Sequence, residues 1–198
     1  SPFEVNAAAH LPAGISKNSS IARINTQGQS VTAVRLQGPA ISVEKRCQGV
    51  KALWQCYGEF EELHSHNSDG LWNEIRDIGS LLNNQLDQIW RISVPPSEGA
   101  DLVAKIRSDI QCKTFFDWGG GLIWLATDGK LEGVGTIIRS ALRLAGGHAT
   151  LLRGSSELRL TSDVFQPQEP ALYRLTKSVK DNFDPGRVLN PGRMYEGI

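Results

Sequence analysis

The residues richest in chemistry sit at the end of the chain. Asp184-Pro185-Gly186-Arg187 leads into Asn190-Pro191-Gly192-Arg193. A residue before proline is pushed toward extended backbone, which predicts an Asn190 amide aimed in one direction, with donors and an acceptor to offer. Gly192 permits close approach of a ligand or a neighbouring backbone, and Arg193 supplies a permanent fork-shaped cation. The competing reading is a plain loop strapped to the body. His148 follows the helix-stopping pair Gly146-Gly147 and opens a strand, a place suited to proton transfer or anion binding. A satisfied core histidine is the alternative there. His64-Ser65-His66, near Asp69, could hold a metal but lacks a third reliable ligand, so a solvated loop is the simpler reading and no metal site is expected.

Two glycine and aromatic features complete the inventory. Gly119-Gly120-Gly121 is followed by a strand, whereas a phosphate cradle needs a helix there. It reads as a hairpin turn. Trp118 abuts it, so Trp118 and Gly119 are candidate pocket-lining residues. The chain has five tryptophans, with Trp54 and Trp90 at core-like positions and Trp72 and Trp124 explained by burial. Arg139 and Arg143 stand one turn apart on a polar helix face and read as solvated. No GxGxxG and no P-loop occurs.

Composition narrows the class. The 198 residues carry 21 Lys+Arg against 21 Asp+Glu, with 40% apolar residues. That is globular, with no charge surplus to favour nucleic acid or an anionic membrane. The longest apolar run, Leu122–Ala126, is far below the roughly 20 residues of a membrane span. No signal peptide is evident. Cys47, Cys56 and Cys112 are odd in number and lack a CxxC, so free thiols in a cytosolic protein are expected. The opening Ser1-Pro2-Phe3 reads as a cut from a longer chain.

Elements follow from periodicity. Gln88–Val94 is a strand with Trp90, Ile92 and Val94 on one face and Ile89, Arg91 and Ser93 on the other. A helix with Leu102, Val103, Ile106 and Ile110 inward comes next, then strands Thr114–Trp118 and Leu122–Ala126. A helix through Val134, Ile138 and Leu142 and a strand His148–Arg153 close the set. Strand, helix, strand, strand, helix, strand is the split βαβ, ferredoxin-like order: an α+β fold, an antiparallel sheet with helices packed on one face. Residues 88–153 form that unit and residues 1–87 a partial first α+β half. Residues 154–198 supply a helix from Pro170, with Leu172, Leu175 and Val179 inward, and the irregular tail. In the first half the pattern predicts a strand Phe3–His10 and a hairpin of Ser20–Asn25 with Val31–Gln37 around Gln27-Gly28. A helix Ala40–Tyr57, a strand Gly58–His64, a loop over 65–70 and a helix Leu71–Leu82 follow.

The run Lys180–Pro185 with Asn190–Tyr195 resembles the end of flavin-linked oxidases of the vanillyl-alcohol oxidase/p-cresol methylhydroxylase superfamily. Leu71-Trp72, Arg76-Asp77, Trp90–Pro95, Asp117–Gly120 and Gly147–Thr150, in that order, are similar to glycolate oxidase subunits of the GlcE type. The resemblance implies a cap domain that shapes a substrate pocket over the ring of FAD. The cofactor would be held mainly by the protein's own N-terminal FAD domain, so these residues alone would be inactive and hold none. It implies oxidation of a small 2-hydroxy acid by hydride loss to FAD. Implied partners are a GlcD-type flavoprotein and a GlcF-type iron–sulfur subunit, and the implied place is the cytoplasm, peripheral at the inner membrane face through that complex. It places Asn190, Pro191, Gly192 and Arg193 at the flavin-facing boundary, with His148 as catalytic residue and Trp118 and Gly119 in the pocket. The Gly-Asp-Gly-Asn run followed by His, which marks the metal motif of the GlcD and D-lactate dehydrogenase relatives, is absent. The other reading is a non-catalytic docking module of the same kind of complex.

Overall fold

A computed structural model describes residues 2–25, 28–82, 84 and 87–198. Strands β1 (Ala7–Leu11), β2 (Val31–Arg35), β3 (Gln88–Ser93), β4 (Lys113–Asp117), β5 (Leu122–Thr127) and β6 (His148–Arg153) form one sheet. Its order is β2-β1-β4-β5-β3-β6, and all its pairings are antiparallel. The helices are α1 (Ala13–Ser16), α2 (Ala22–Asn25), α3 (Ala40–Trp54), α4 (Ser65–Arg76), α5 (Gly99–Asp109), α6 (Val134–Ala145), α7 (Ser156–Thr161) and α8 (Pro170–Phe183). The fold is α+β. The β3-α5-β4-β5-α6-β6 segment has the ferredoxin-like arrangement, and β1 and β2 extend its sheet beyond β4.

Alternation along β3 builds two cores. Trp90, Ile92 and Val94 face α5 and α6, meeting Leu102, Val103, Ile106, Ile138 and Leu142. Ile89 faces the other way, onto a second core with Phe115, Ala126, Ile15, Ile24, Leu71 and Ile75. Each such side chain, fully buried, contributes roughly 1.5–3 kcal/mol. Gln88 is wholly buried and fully bonded at the start of β3: its Nε2 donates to Asp128 O and Leu131 O, each at 2.9 Å, and its Oε1 accepts from Trp90 Nε1 at 2.9 Å. Helices α5 and α6 of the ferredoxin-like unit pack on one face of the sheet, and α1, α2 and α4 add a cover on the other.

The second cover stops short of one end. Toward β6 the face carries Arg91, Ser93 and Thr150, half-buried, with His148 and Leu152 exposed. The outer edge of β6 is occupied by the segment after α7. Leu151 N donates to Val164 O at 2.8 Å, and Arg139, stacked on Trp90 at 5.6 Å, donates to Asp163 O at 2.6 Å. Arg139 is thus a structural latch, not a solvated partner of Arg143. Covering an edge strand this way removes an aggregation template.

Several local expectations are corrected. Residues 22–25 are helical, because Ile21 and Ile24 enter the second core three apart rather than alternating; β2 pairs with β1 instead, Ala9 opposite Ala33. The turn expected at Gln27 lies outside the described residues. The 58–64 stretch forms no strand: its acidic residues pair across solvent, Glu61 with Arg23 and Glu62 with Lys51. Helix α4 begins at Ser65, so the 65–70 loop is its polar first turns. On α8, Leu172, Leu175 and Val179 point outward and are at least half exposed. Helix α3 ends at Trp54, buries only Val50, and leaves Ile41, Leu53 and Tyr57 exposed. The three cysteines are free thiols. Among the described residues no helix is long and apolar enough to cross a membrane.

Gly147, with φ 103°, presses against the end of β3, where an added Cβ would lie 2.0 Å from Ser93 O. Gly147→Ala should therefore destabilise the chain by at least about 2 kcal/mol. Gly14→Ala, in open space within α1, should be neutral or stabilising by up to about 1 kcal/mol. Urea unfolding of both variants against the parent chain checks the contrast.

Candidate functional site

The site starts from a charged residue in a central strand. Arg91 lies between Trp90 and Ile92, yet alternation turns it to the incompletely covered face. Its cross-strand neighbours there are Trp124 on β5 and Thr150 on β6. Beside it lies a cleft of about 740 Å³, bounded by residues 5–8, by α4 and by the β4–β5 turn. The ladder between β1 and β4 is a single bridge, His10 opposite Phe116. The short side chains of Ala7 and Ala8 leave room along that wall.

The β4–β5 turn is held from several directions. Asp117 Oδ1 accepts from Trp118 N at 2.7 Å, and Trp118 O accepts from Gly121 N at 3.2 Å. Val94 N donates to Gly121 O at 3.0 Å, tying the turn to the end of β3. Gly99 makes the fit possible: a Cβ there would meet Gly120 O at 2.6 Å. Within this frame Trp118 itself adopts φ 51°, a left-handed conformation unusual for a bulky residue. Trp118 stays 62% exposed, and the Arg91 guanidinium lies 5.1 Å from its ring centroid.

Charges in the cleft do not cancel. Arg35 stacks on Trp72 at 5.9 Å and pairs with Asp69 at 3.3 Å. Arg76 clasps Asp77 through two bonds of 2.7 and 2.9 Å. Asp117 is partly buried, and that burial raises its pKa against the opposing pull of the Trp118 N–H. Among the described residues Arg91 forms no ion pair. Trp124 Nε1 is buried without an acceptor. The arrangement suits an anion with a planar body: a cation and aromatic faces.

The sequence-predicted residues separate into three places. Trp118 and Gly119 line the cleft. His148 is exposed, not a core residue, and pairs with Ser93, next along the face from Arg91 and Thr150. Asn190, Pro191, Gly192 and Arg193 are exposed on the tail and do not line the cleft. Asn190 is left-handed at φ 46°, not extended, a conformation asparagine tolerates better than most residues. Arg91, Arg35, Arg76 and Trp72 were not among the expected site residues; the signal for Arg91 was its place in an otherwise apolar central strand. Among the described residues no three His, Cys, Asp or Glu side chains gather to hold a metal, and His64 only approaches Glu62, at 3.4 Å.

The tail is an ordered surface loop. Asp184 accepts from Val188 N at 3.0 Å and Leu189 N at 2.9 Å, and pairs with Lys180 at 2.7 Å. Arg187 binds Asp181 and Gly197 O, and Tyr195 Oη donates to Gln166 O at 3.1 Å. Lys180 foremost, then the two backbone N–H groups, lower the Asp184 pKa from 3.8 to about 2. A depressed carboxyl pKa favours the ordered tail above the ordinary value and loses that favour as pH falls through about 2. The Val188 and Leu189 amides should therefore stay protected from hydrogen exchange at pH 5 and above and lose protection as pH falls from about 4 to about 2. Asp184→Asn should lose much of it at every pH.

No protein-family model matches the chain. Among curated proteins it is similar to glycolate oxidase subunit GlcE of Escherichia coli (strain K12), with 31% identity over 124 residues. The match covers 63% of this chain and 31% of that relative, so the chain spans about a third of the relative's length. Over those 124 residues the chain is similar in sequence to a part of a GlcE subunit.

Proposed function

We propose that this chain is the cap domain of an FAD-dependent 2-hydroxy-acid dehydrogenase, closing over a flavin ring held by the rest of the protein. The observation that supports it best is the cleft: a guanidinium with no ion pair among the described residues, walled by indoles at the open end of a sheet. An acid carboxylate is drawn to such a cation more strongly where aromatic walls exclude water. The residues suit the ring end of the cofactor, since Trp118 offers an exposed aromatic face beside the carboxylate-binding Arg91. They do not suit its pyrophosphate, for which the sequence has no GxGxxG or P-loop. FAD supplies the hydride acceptor.

The chain's own residues bind and orient. Trp118 and Gly119 wall the pocket, and Arg91 faces the carboxylate. His148, at the strand end beside this face, takes up the hydroxyl proton on its imidazole. Asn190, Pro191, Gly192 and Arg193 meet the flavin-holding domain. A GlcD-type flavoprotein and a GlcF-type iron–sulfur subunit receive the electrons, at the cytoplasmic side of the membrane. A second reading, an assembly module that does no chemistry, draws on α8, whose Leu172, Leu175, Val179 and Phe183 form an unpartnered apolar face.

The test uses the whole polypeptide that contains this chain, purified with its partner subunits, with glycolate added in the absence of oxygen. The bound flavin should bleach, and Asn190→Ala should slow bleaching roughly tenfold or more by misplacing the domain boundary. A colourless protein would overturn the proposal. Unchanged bleaching in the Asn190 variant, with its partner subunits lost, would favour the assembly module.

A further inference from the structure

The size and walls of the cleft say more about the acid it takes. At about 740 Å³ the space is comparable to pockets that bury drug-sized ligands, roughly 300–1,000 Å³, and far exceeds a two-carbon acid. Its walls include the indoles of Trp72, Trp118 and Trp124. Two of its guanidinium groups are already paired with carboxylates, Arg35 with Asp69 and Arg76 with Asp77, which leaves Arg91 to meet an incoming anion. Arg91 rests on the Trp118 ring, so the cation is stored at the aromatic wall and its fork is free of a carboxylate. Trp118 is held there by a strained backbone, as side chains at binding sites often are.

We infer that the cleft selects carboxylates carried on a planar aromatic body, with Arg91 taking the carboxylate and the tryptophans the ring. That the ligand is a 2-hydroxy acid rests on the proposed function; the pairing of carboxylate and aromatic ring rests on the cleft alone. An aryl-substituted 2-hydroxy acid such as mandelate satisfies both halves. Glycolate satisfies only the cation and leaves the indole walls in water. Mandelamide satisfies only the walls.

Calorimetric titration of the 198-residue chain at fixed ionic strength separates these contributions. Mandelate should bind at least about tenfold more tightly than either glycolate or mandelamide. Arg91→Gln should bring mandelate down to the level of mandelamide, and Trp118→Ala should bring it close to glycolate. Inorganic phosphate should compete weakly, since it lacks the planar body. Glycolate binding as tightly as mandelate would overturn the inference, as would an Arg91→Gln variant that binds mandelate like the parent. Should that variant fail to fold, equal affinity of the parent chain for mandelate and mandelamide would overturn it instead. The whole protein separates this inference from the function it builds on. Mandelate bound by the chain, with no flavin in the whole protein, would sink the cap reading and keep the cleft. Flavin reduced by glycolate but never by mandelate would do the reverse.

Discussion

The two-sided alternation of β3 is the constraint from which the rest of the molecule is built. Its odd and even positions face different environments in one short strand. Trp90 and Ile92 commit one face to α5 and α6, and Ile89 commits the other to α1, α2 and α4. Arg91 is then carried, by geometry alone, onto a face that is apolar on one side of it and open on the other. A one-residue slip of this strand would bury the guanidinium and expose Trp90, a change no neighbouring contact could absorb. Gln88 guards against that slip, because its buried amide finds all its partners only in the observed register.

The polar cleft is a by-product of where the second apolar cover ends. Helix α4 reaches across the sheet far enough to bury Leu71 and Ile75 but offers Trp72 and Arg76 to the gap beyond. The turn after β4 closes the gap from the other side, and it is rigid because glycines let it nest on Pro96 and Gly99. Rigid walls around a long-stemmed cation suit recognition, since the cost of ordering the walls is met on folding rather than on binding.

Legibility in the sequence followed burial. The segment from β3 to β6 could be read because its apolar residues keep strict periods of two or near four, and its breaks fall at Pro95-Pro96, Gly119–Gly121 and Gly146-Gly147. The N-terminal elements were harder. Ile21 and Ile24 form too short a helix to show a period, and the first turns of α4 are polar because they face solvent, so they imitate a loop. Helix α8 has a clear apolar stripe, which predicted burial, but no partner among the described residues meets it; a stripe reports that a surface is apolar, not what covers it. Of the cleft, Trp118 and Gly119 were visible through the unusual glycine run. Arg35 of β2 meets Trp72 and Arg76, one turn apart on α4, only through the closing of the sheet, which no local pattern encodes.

The exposed indole of Trp118 has an optical consequence. Trp90 is sealed from water, and Trp54, Trp72 and Trp124 are each half-covered, whereas Trp118 stands in solvent against a guanidinium. Its emission should lie at the red end of the chain's fluorescence and respond to whatever enters the cleft. The fold therefore carries a built-in, label-free indicator of what occupies the cleft, placed beside the cation that would meet it.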